Sequence, residues 1–295
     1  MNISLAPIPY SWERDSIIKF YEDIKDSKAD NIYIGEVVCS KRDRLSINDI
    51  LSIAQDLEVS GKKIFISTLG LITNQKEFKF TEELCLLPYP VEVNNIGVLN
   101  ILNQKIKESV LGQYIQVYNK PSLIFFKKLG VKRIVLLPEL SREAMFSIIE
   151  DTDIEKEILG FGKLSLGLSW RCYTSFSNHS SNKNNCTYRC YDFKEGIPVE
   201  TIDKKSIYTL NGTQILSGFN FCLLEYIDIL QSMGIDTIRI QPQLKGTNEI
   251  IDIVYRLISK KIAAKEAISE LKEISDAPFC NGWFFGRPGL DYISN

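Results

Sequence analysis

The sequence predicts an α/β chain folded as a (β/α)8 TIM-type barrel, with allowance for irregularity. Three observations lead there. One phrase recurs along the chain: a helical pattern, a glycine, a few polar residues, then a β-branched run. It is seen in QDLEVSGKKIFISTL, FFKKLGVKRIVLLPEL and LQSMGIDTIRIQPQ. The β-branched runs are short and mostly lack clean alternation, as expected of strands covered on both faces. About eight of them fit in 295 residues, the size of one barrel. An open doubly wound sheet is the competing architecture, because periodicity does not distinguish closed from open. No G-x-G-x-x-G follows the first strand, which weakens its dinucleotide-binding version.

In chain order, strands are expected at NISLAP, IYIGEVV, IFISTL, PVEVNN, YIQVYN, RIVLLP, LSLGLSW and TIRIQP. Between the second and third, Ile47, Ile50, Leu51, Ala54 and Leu57 form one apolar helical stripe. Ser46 with Asp49 reads as a capping box at its start. Pro121 suits a first helical position, and Lys127 and Lys128 lie where a helix C-terminus favours cations. Gly61, Gly130 and Gly234 stand where a helix ends in the left-handed conformation. Residues 172–215 are too long and polar for an ordinary βα connection, and are expected to form an insertion carrying a small hairpin. AAKEAISELKEIS predicts a last helix, and CNGWFFGRPGL a compact tail. The whole span 1–295 reads as a single barrel domain.

Charge excludes more than it suggests. With 35 basic and 37 acidic side chains the formal net charge is −2, which gives no sign of a nucleic-acid or membrane-surface partner. No apolar run approaches the roughly 20 residues of a bilayer span. The start, MNISLAPIPYSWERD, does not read as a signal peptide, so a cytoplasmic location is expected. In that reducing compartment thiols stay available for metals, and seven cysteines is an odd number for a disulfide framework.

Four cysteines carry the strongest chemical signal. Cys172, Cys186 and Cys190 fall in RCYTSFSNHSSNKNNCTYRC, a polar stretch unable to form core, and Cys39 lies upstream in GEVVCSKR. The C-x13-C-x3-C cluster plus a distant thiol supplies four soft ligands, the number an iron–sulfur cluster needs and zinc also accepts. Cys39 and Cys172 both follow expected strands, so both belong at the barrel face where ligand groups collect.

The phrases IYIGEVVCSKR, SGKKIFISTL, LLPELSRE, SWRCYTSFS, NNCTYRC, LNGTQILSG and CNGW run the length of the chain. In these residues the sequence resembles the UbiV family, proteins of oxygen-independent ubiquinone biosynthesis in the collagenase-like peptidase superfamily. The resemblance implies a barrel and one [4Fe–4S] cluster held by Cys39, Cys172, Cys186 and Cys190. It also implies a heterodimer with a UbiU-like cluster protein, a UbiT-like lipid carrier, and support for anaerobic ring hydroxylation of a ubiquinone precursor. The stretch around Asn119 and the tail beyond CNGW depart from the family pattern.

Other residues weigh less. Cys85, Cys222 and Cys280 have apolar neighbours and are expected in the core. His179 is the one histidine, so no Ser/His/Asp or Cys/His set and no H-E-x-x-H motif can be assembled, and peptidase activity is not expected. A metal-stabilised, non-catalytic scaffold is the remaining alternative. Lys41 to Arg44 read as a solvated turn, with Arg42 a candidate for an anionic substrate or for the cluster's charge. Glu36, Glu139 and Arg142 stand near strand ends, and Asn211, Gly212 and Gln214 form a hairpin-turn phrase with the same candidate status.

Overall fold

The computed structural model describes residues 1–42, 45–103, 108–177, 186–275 and 277–294. Eight parallel strands close into a barrel. They are β1 (Asn2–Leu5), β2 (Asn31–Ile34), β3 (Lys63–Ser67), β4 (Val91–Val93), β5 (Ser109–Leu111), β6 (Val131–Leu136), the first part of β7 (Glu155–Leu168) and β11 (Thr237–Ile240). Closure comes from β11, which pairs with β1 on one side and β7 on the other. Helices α1 (Arg14–Ile24), α2 (Ile47–Val59), α3 (Gln75–Leu86), α4 (Ile96–Asn103), α5 (Lys120–Lys128) and α6 (Arg142–Ile149) follow β1 to β6 in turn. After β7 come α7 (Tyr173–Ser177), three further strands and α8 (Ile227–Ser232). After β11 come α9 (Thr247–Ile258) and α10 (Ala264–Ile274). No helix among the described residues is long and apolar enough to cross a membrane.

The local signals hold where they were specific. Ser46 accepts from the Asp49 amide while Asp49 accepts back from Ser46, a complete capping box. Pro121 lies in the first turn of α5, and Gly61, Gly130 and Gly234 have φ of 82°, 92° and 78° after α2, α5 and α8.

Two expected strands are corrected. YIQVYN is irregular, and the fifth strand is Ser109–Leu111 just upstream. Ile115 and Val117 are buried while Gln116 is exposed, so the alternation is real, but this stretch joins no strand ladder. LSLGLSW is only the far end of β7, whose barrel part begins at Glu155 in EKEIL. At Gly162, φ is 141° and a Cβ would stand 2.4 Å from the Gln241 side chain, so only glycine passes where β7 leaves the barrel. Beyond it β7 pairs antiparallel with β10 (Gln214–Cys222), then β9 (Ser206–Asn211), then β8 (Ile197–Glu200). The short β12 (Phe279–Cys280) joins β10 from the tail.

The main core lies between strands and helices. Ile3, Leu5, Ile32, Ile34, Ile64 and Ile66 meet helix residues such as Ile50, Leu57, Ile250 and Val254. Inside the barrel the chemistry differs. A small apolar group (Tyr33, Phe65, Val110, Val135) is capped by a buried ion network. Glu157 Oε1 accepts from Ser4 Oγ at 2.7 Å and Glu157 Oε2 from Tyr33 Oη at 2.7 Å. Arg133 and Arg239 each approach Glu157 at 3.2 Å, and Arg239 also pairs with Glu92 at 2.5 Å. Arg239 stacks on the Tyr33 ring at 4.3 Å and Arg133 on Phe65 at 4.8 Å. Burial pushes the Tyr33 hydroxyl well above its ordinary range, and Glu157 adds to the effect. The strands thus look apolar because their outward faces dominate, while the inward face carries paired charges that satisfy one another.

Candidate functional site

Cys39 is delivered by a turn that only glycine permits. β2 ends at Ile34, and at Gly35 φ is 147° with a would-be Cβ 2.2 Å from the Ser67 carbonyl oxygen. The chain then bends through Glu36, whose Oε1 accepts from the Val38 and Cys39 amides at 2.8 and 3.1 Å. A 3-10 turn, Ser40–Arg42, follows and is closed by Arg42 N–H donating to Cys39 C=O at 2.9 Å.

Cys172 stands just before α7, four residues past the end of β7. Its Sγ accepts from the Ser175 amide at 3.4 Å. The β9–β10 turn joins this segment to the Cys39 loop. Gly212 C=O accepts from Tyr173 N–H at 2.7 Å, and Thr213 Oγ1 donates to Val38 C=O at 2.7 Å. Arg42 seals the junction. It is buried, donates to the backbone and side-chain oxygens of Asn211 at 3.0 and 2.6 Å, and also donates to Pro9 C=O. Gly212, at φ 67°, lets the guanidinium lie where a Cβ would be 2.7 Å away. The LNGTQ phrase is therefore a hairpin turn and also the hub between two cysteine loops, with Arg42 as its pin.

Cys186 Sγ accepts from the Tyr188 amide at 3.4 Å, and Tyr188 takes a left-handed φ of 57°. Cys190 lies in the 3-10 turn Arg189–Asp192, against which α7 packs. Cys186 and Tyr188 front a cavity of about 420 Å³ together with Glu36, Ser40, Lys41 and Arg42, so the third cysteine faces the turn that follows the first. All four cysteines are half-buried, whereas Cys85, Cys222 and Cys280 are buried. Burial pushes the Cys222 and Cys280 thiols up to about 12, as befits inert core residues. Among the described residues no three Cys, His, Asp or Glu side chains are gathered around a single ion position. His179, Asp43 and Arg44 lie outside the described residues.

The remaining candidates separate from the cysteines. Arg142 pairs with its neighbour Glu143 at 3.1 Å on the surface. Glu139 accepts from Tyr118 Oη at 2.8 Å and lines a second cavity of about 510 Å³ at the C-terminal strand ends, with Tyr114, Ser165, Gly167 and Trp283. Gln214 connects the two regions. Its Nε2 donates to Tyr114 Oη at 2.6 Å and Ser165 Oγ at 2.9 Å, and its Oε1 accepts from Asn211 Nδ2 at 2.9 Å. Sequence reasoning missed Tyr114 and Ser165, which sit in stretches read as plain strand. It also missed Glu92, Arg133, Glu157 and Arg239. For Glu92 and Arg239 the available signal was a single charge set among β-branched residues in PVEVNN and TIRIQ, whereas Arg133 and Glu157 sit beside other charges in KRIVLL and EKEIL.

The tRNA hydroxylation protein P1 of Bacillus subtilis (strain 168) is 24% identical over 89% of this chain and 68% of its own length. A collagenase of Porphyromonas gingivalis (strain ATCC BAA-308 / W83) is 20% identical over 88% of this chain and 69% of its own. Among solved structures, a GH18 chitinase from Pseudoalteromonas aurantia aligns at TM-score 0.36 and 10% identity, over 88% of this chain and all of that one. The family profile of peptidase family U32 matches residues 19–293, nearly the whole chain, and the protein belongs to that family.

Proposed function

We propose that the protein is an iron–sulfur component of a ring-hydroxylation system, with a [4Fe–4S] cluster on Cys39, Cys172, Cys186 and Cys190. The observation that carries this reading is the partition of the seven cysteines. Three are core residues, and the four of the sequence cluster are half-buried on loops joined through the Gly212 turn and the Cys186-fronted cavity. The donor set fits the group. A cube takes one thiolate at each of four corners, the number this set supplies, and zinc accepts the same number. Amide N–H donors on the Cys172 and Cys186 sulfurs stabilise negative sulfur, the outer-shell contact that tunes such centres. Bound there, the cluster supplies electron transfer. The chain's own contribution is to orient the thiols: Glu36 holds the Cys39 amide, and Arg42 and Asn211 hold the turn between loops.

Hydroxylation is supported by the relative named for tRNA hydroxylation. A ubiquinone precursor as substrate, an anaerobic setting, a UbiU-like partner and a UbiT-like lipid carrier rest on the resemblance to the UbiV family. Trp170, Phe176 and Tyr188 stand exposed around the cysteine end and suit a partner surface. The relative's name raises tRNA as a second substrate reading, which a net charge of −2 does not favour.

Iron and acid-labile sulfide, measured on protein purified without oxygen, test the cluster. About four of each per chain are expected, falling in each Cys→Ser variant of the four and unchanged in Cys85→Ser. Zinc, or full iron content in Cys39→Ser, would overturn the ligand set. Quinone levels after gene deletion test the pathway: loss confined to anaerobic growth supports it, and unchanged levels in both conditions refute it.

A further inference from the structure

The cysteine loops are charged unlike the rest of the chain. Their described residues, 36–42, 169–177 and 186–195, hold five Lys or Arg and three Asp or Glu, whereas the whole chain has a net charge of −2. Two of the three acids accept from backbone amides: Glu36 from Val38 and Cys39, and Glu195 from Leu244 at 3.3 Å. The third, Asp192, pairs with Arg189 at 3.2 Å on the surface. Of the cations, Arg42 is buried, while Arg171, Arg189 and Lys194 are exposed and Lys41 is half-buried.

Large rings are interleaved with these charges. Phe176 is 79% exposed, and Trp170 and Tyr188 are each 49% exposed. Helix α7, which carries Phe176, packs against the turn Arg189–Asp192 that follows Tyr188, so the rings stand on adjoining elements. Exposed rings bordered by charge mark protein interfaces. A patch of this size matches the small interfaces of electron-transfer encounters, below about 1,200 Å². A nucleic acid is less well matched, because such complexes take their affinity from roughly 6–10 phosphate contacts, more than the exposed cations here provide.

We propose that this end of the molecule docks a small acidic electron-transfer protein on Trp170, Phe176 and Tyr188, steered there by Arg171, Arg189 and Lys194. The inference rests on the cluster reading and adds the donor to it. The docked protein gives up one electron and is oxidised, the [4Fe–4S] centre is reduced by that electron, and no bond forms or breaks. The cations act on the rate of encounter, which salt screens, whereas the rings act through apolar contact, which salt leaves in place.

The test mixes the full chain, purified without oxygen, with a reduced acidic plant-type [2Fe–2S] ferredoxin. Stopped-flow absorbance reads the rate, expressed per cluster from the iron content of each sample. Raising salt from ~10 to ~100 mM shortens the screening length from about 30 to 10 Å and should slow the reaction at least ~10-fold. Arg171→Glu and Lys194→Glu should each slow it at low salt and flatten its salt dependence. Lys132→Glu, the same charge change at the start of β6 and so at the opposite barrel end, should do neither. Phe176→Ser should slow it with the salt dependence unchanged. A salt-independent rate, equal slowing by Lys132→Glu, or displacement of the ferredoxin by unfractionated tRNA would each overturn the proposal. Binding is read separately, as broadening of the ferredoxin NMR signals on adding the chain, and its absence would also overturn the proposal. Salt-dependent binding by iron-free protein would uphold the docking surface and refute the cluster, so the two failures are distinguishable.

Discussion

Replacing Glu157 by Gln is the most demanding test of the barrel interior. Glu157 is fully buried, accepts from Ser4 and Tyr33 at 2.7 Å, and faces Arg133 and Arg239 at 3.2 Å. Glutamine keeps the shape but removes the charge, leaving Arg239 with Glu92 alone and Arg133 with Glu155 at the barrel edge. At an effective dielectric near 20, a unit pair at that separation is worth about 5 kcal/mol before desolvation. Breaking a buried pair typically costs about 3–5 kcal/mol. Against a total stability of about 5–15 kcal/mol this is a large fraction. It corresponds to a melting-temperature drop of roughly 6–20 °C at about 2–4 °C per kcal/mol. Urea denaturation followed by circular dichroism measures it, with Glu83→Gln at an exposed position of α3 as a control expected to leave the midpoint in place. Removing Arg239 and Glu92 together, as Arg239→Met with Glu92→Leu, should cost less than Arg239→Met alone, because no charge is then stranded. A Glu157→Gln protein within about 0.5 kcal/mol of wild type at an unchanged m-value would refute the network's energetic role.

Four further outcomes are expected. Gly35→Ala should lower stability by about 1–3 kcal/mol or more, because the Cβ collides with the Ser67 carbonyl. Gly61→Ala, at φ 82° with nothing within 4 Å, should cost less, and equal thermal shifts would contradict the argument. Ser46→Ala should cost about 0.5–2 kcal/mol by removing the cap of α2. Hydrogen bonds from Arg14 and from the Ser46 amide hold the Asp49 carboxyl well below the usual carboxylate range. Its stabilisation is therefore complete above about pH 4 and fades as pH falls further, so the wild-type advantage over Asp49→Asn should shrink on acidification. In native, metal-free protein, iodoacetamide followed by mass spectrometry should label Cys39, Cys172, Cys186 and Cys190 and spare Cys85, Cys222 and Cys280. Labelling of Cys222 at the rate of Cys186 would contradict the burial assignment.

The sequence alone determined the alternating βα order, because its signals are local: capping at Ser46 and Asp49, left-handed glycines after helices, and β-branched runs between them. It likewise singled out four cysteines from seven, since a polar stretch cannot bury thiols while ELCLLP and NFCLLEY can. It misjudged YIQVYN, because alternation records which side chains are covered and not whether the backbone joins a ladder. It also missed the barrel part of β7, where EKE reads as solvated until Glu157 meets Arg133 and Arg239 from other strands. Only the tertiary structure decided that Arg42 is a buried pin rather than a surface charge, since its partners Pro9 and Asn211 stand 33 and 169 residues away in the chain. The same holds for the mouth cavity, where Tyr114, Glu139, Ser165 and Trp283 share one wall although no local pattern connects them. Pairing across such separations depends on barrel closure, which sums weak preferences over every strand and is written in no single segment.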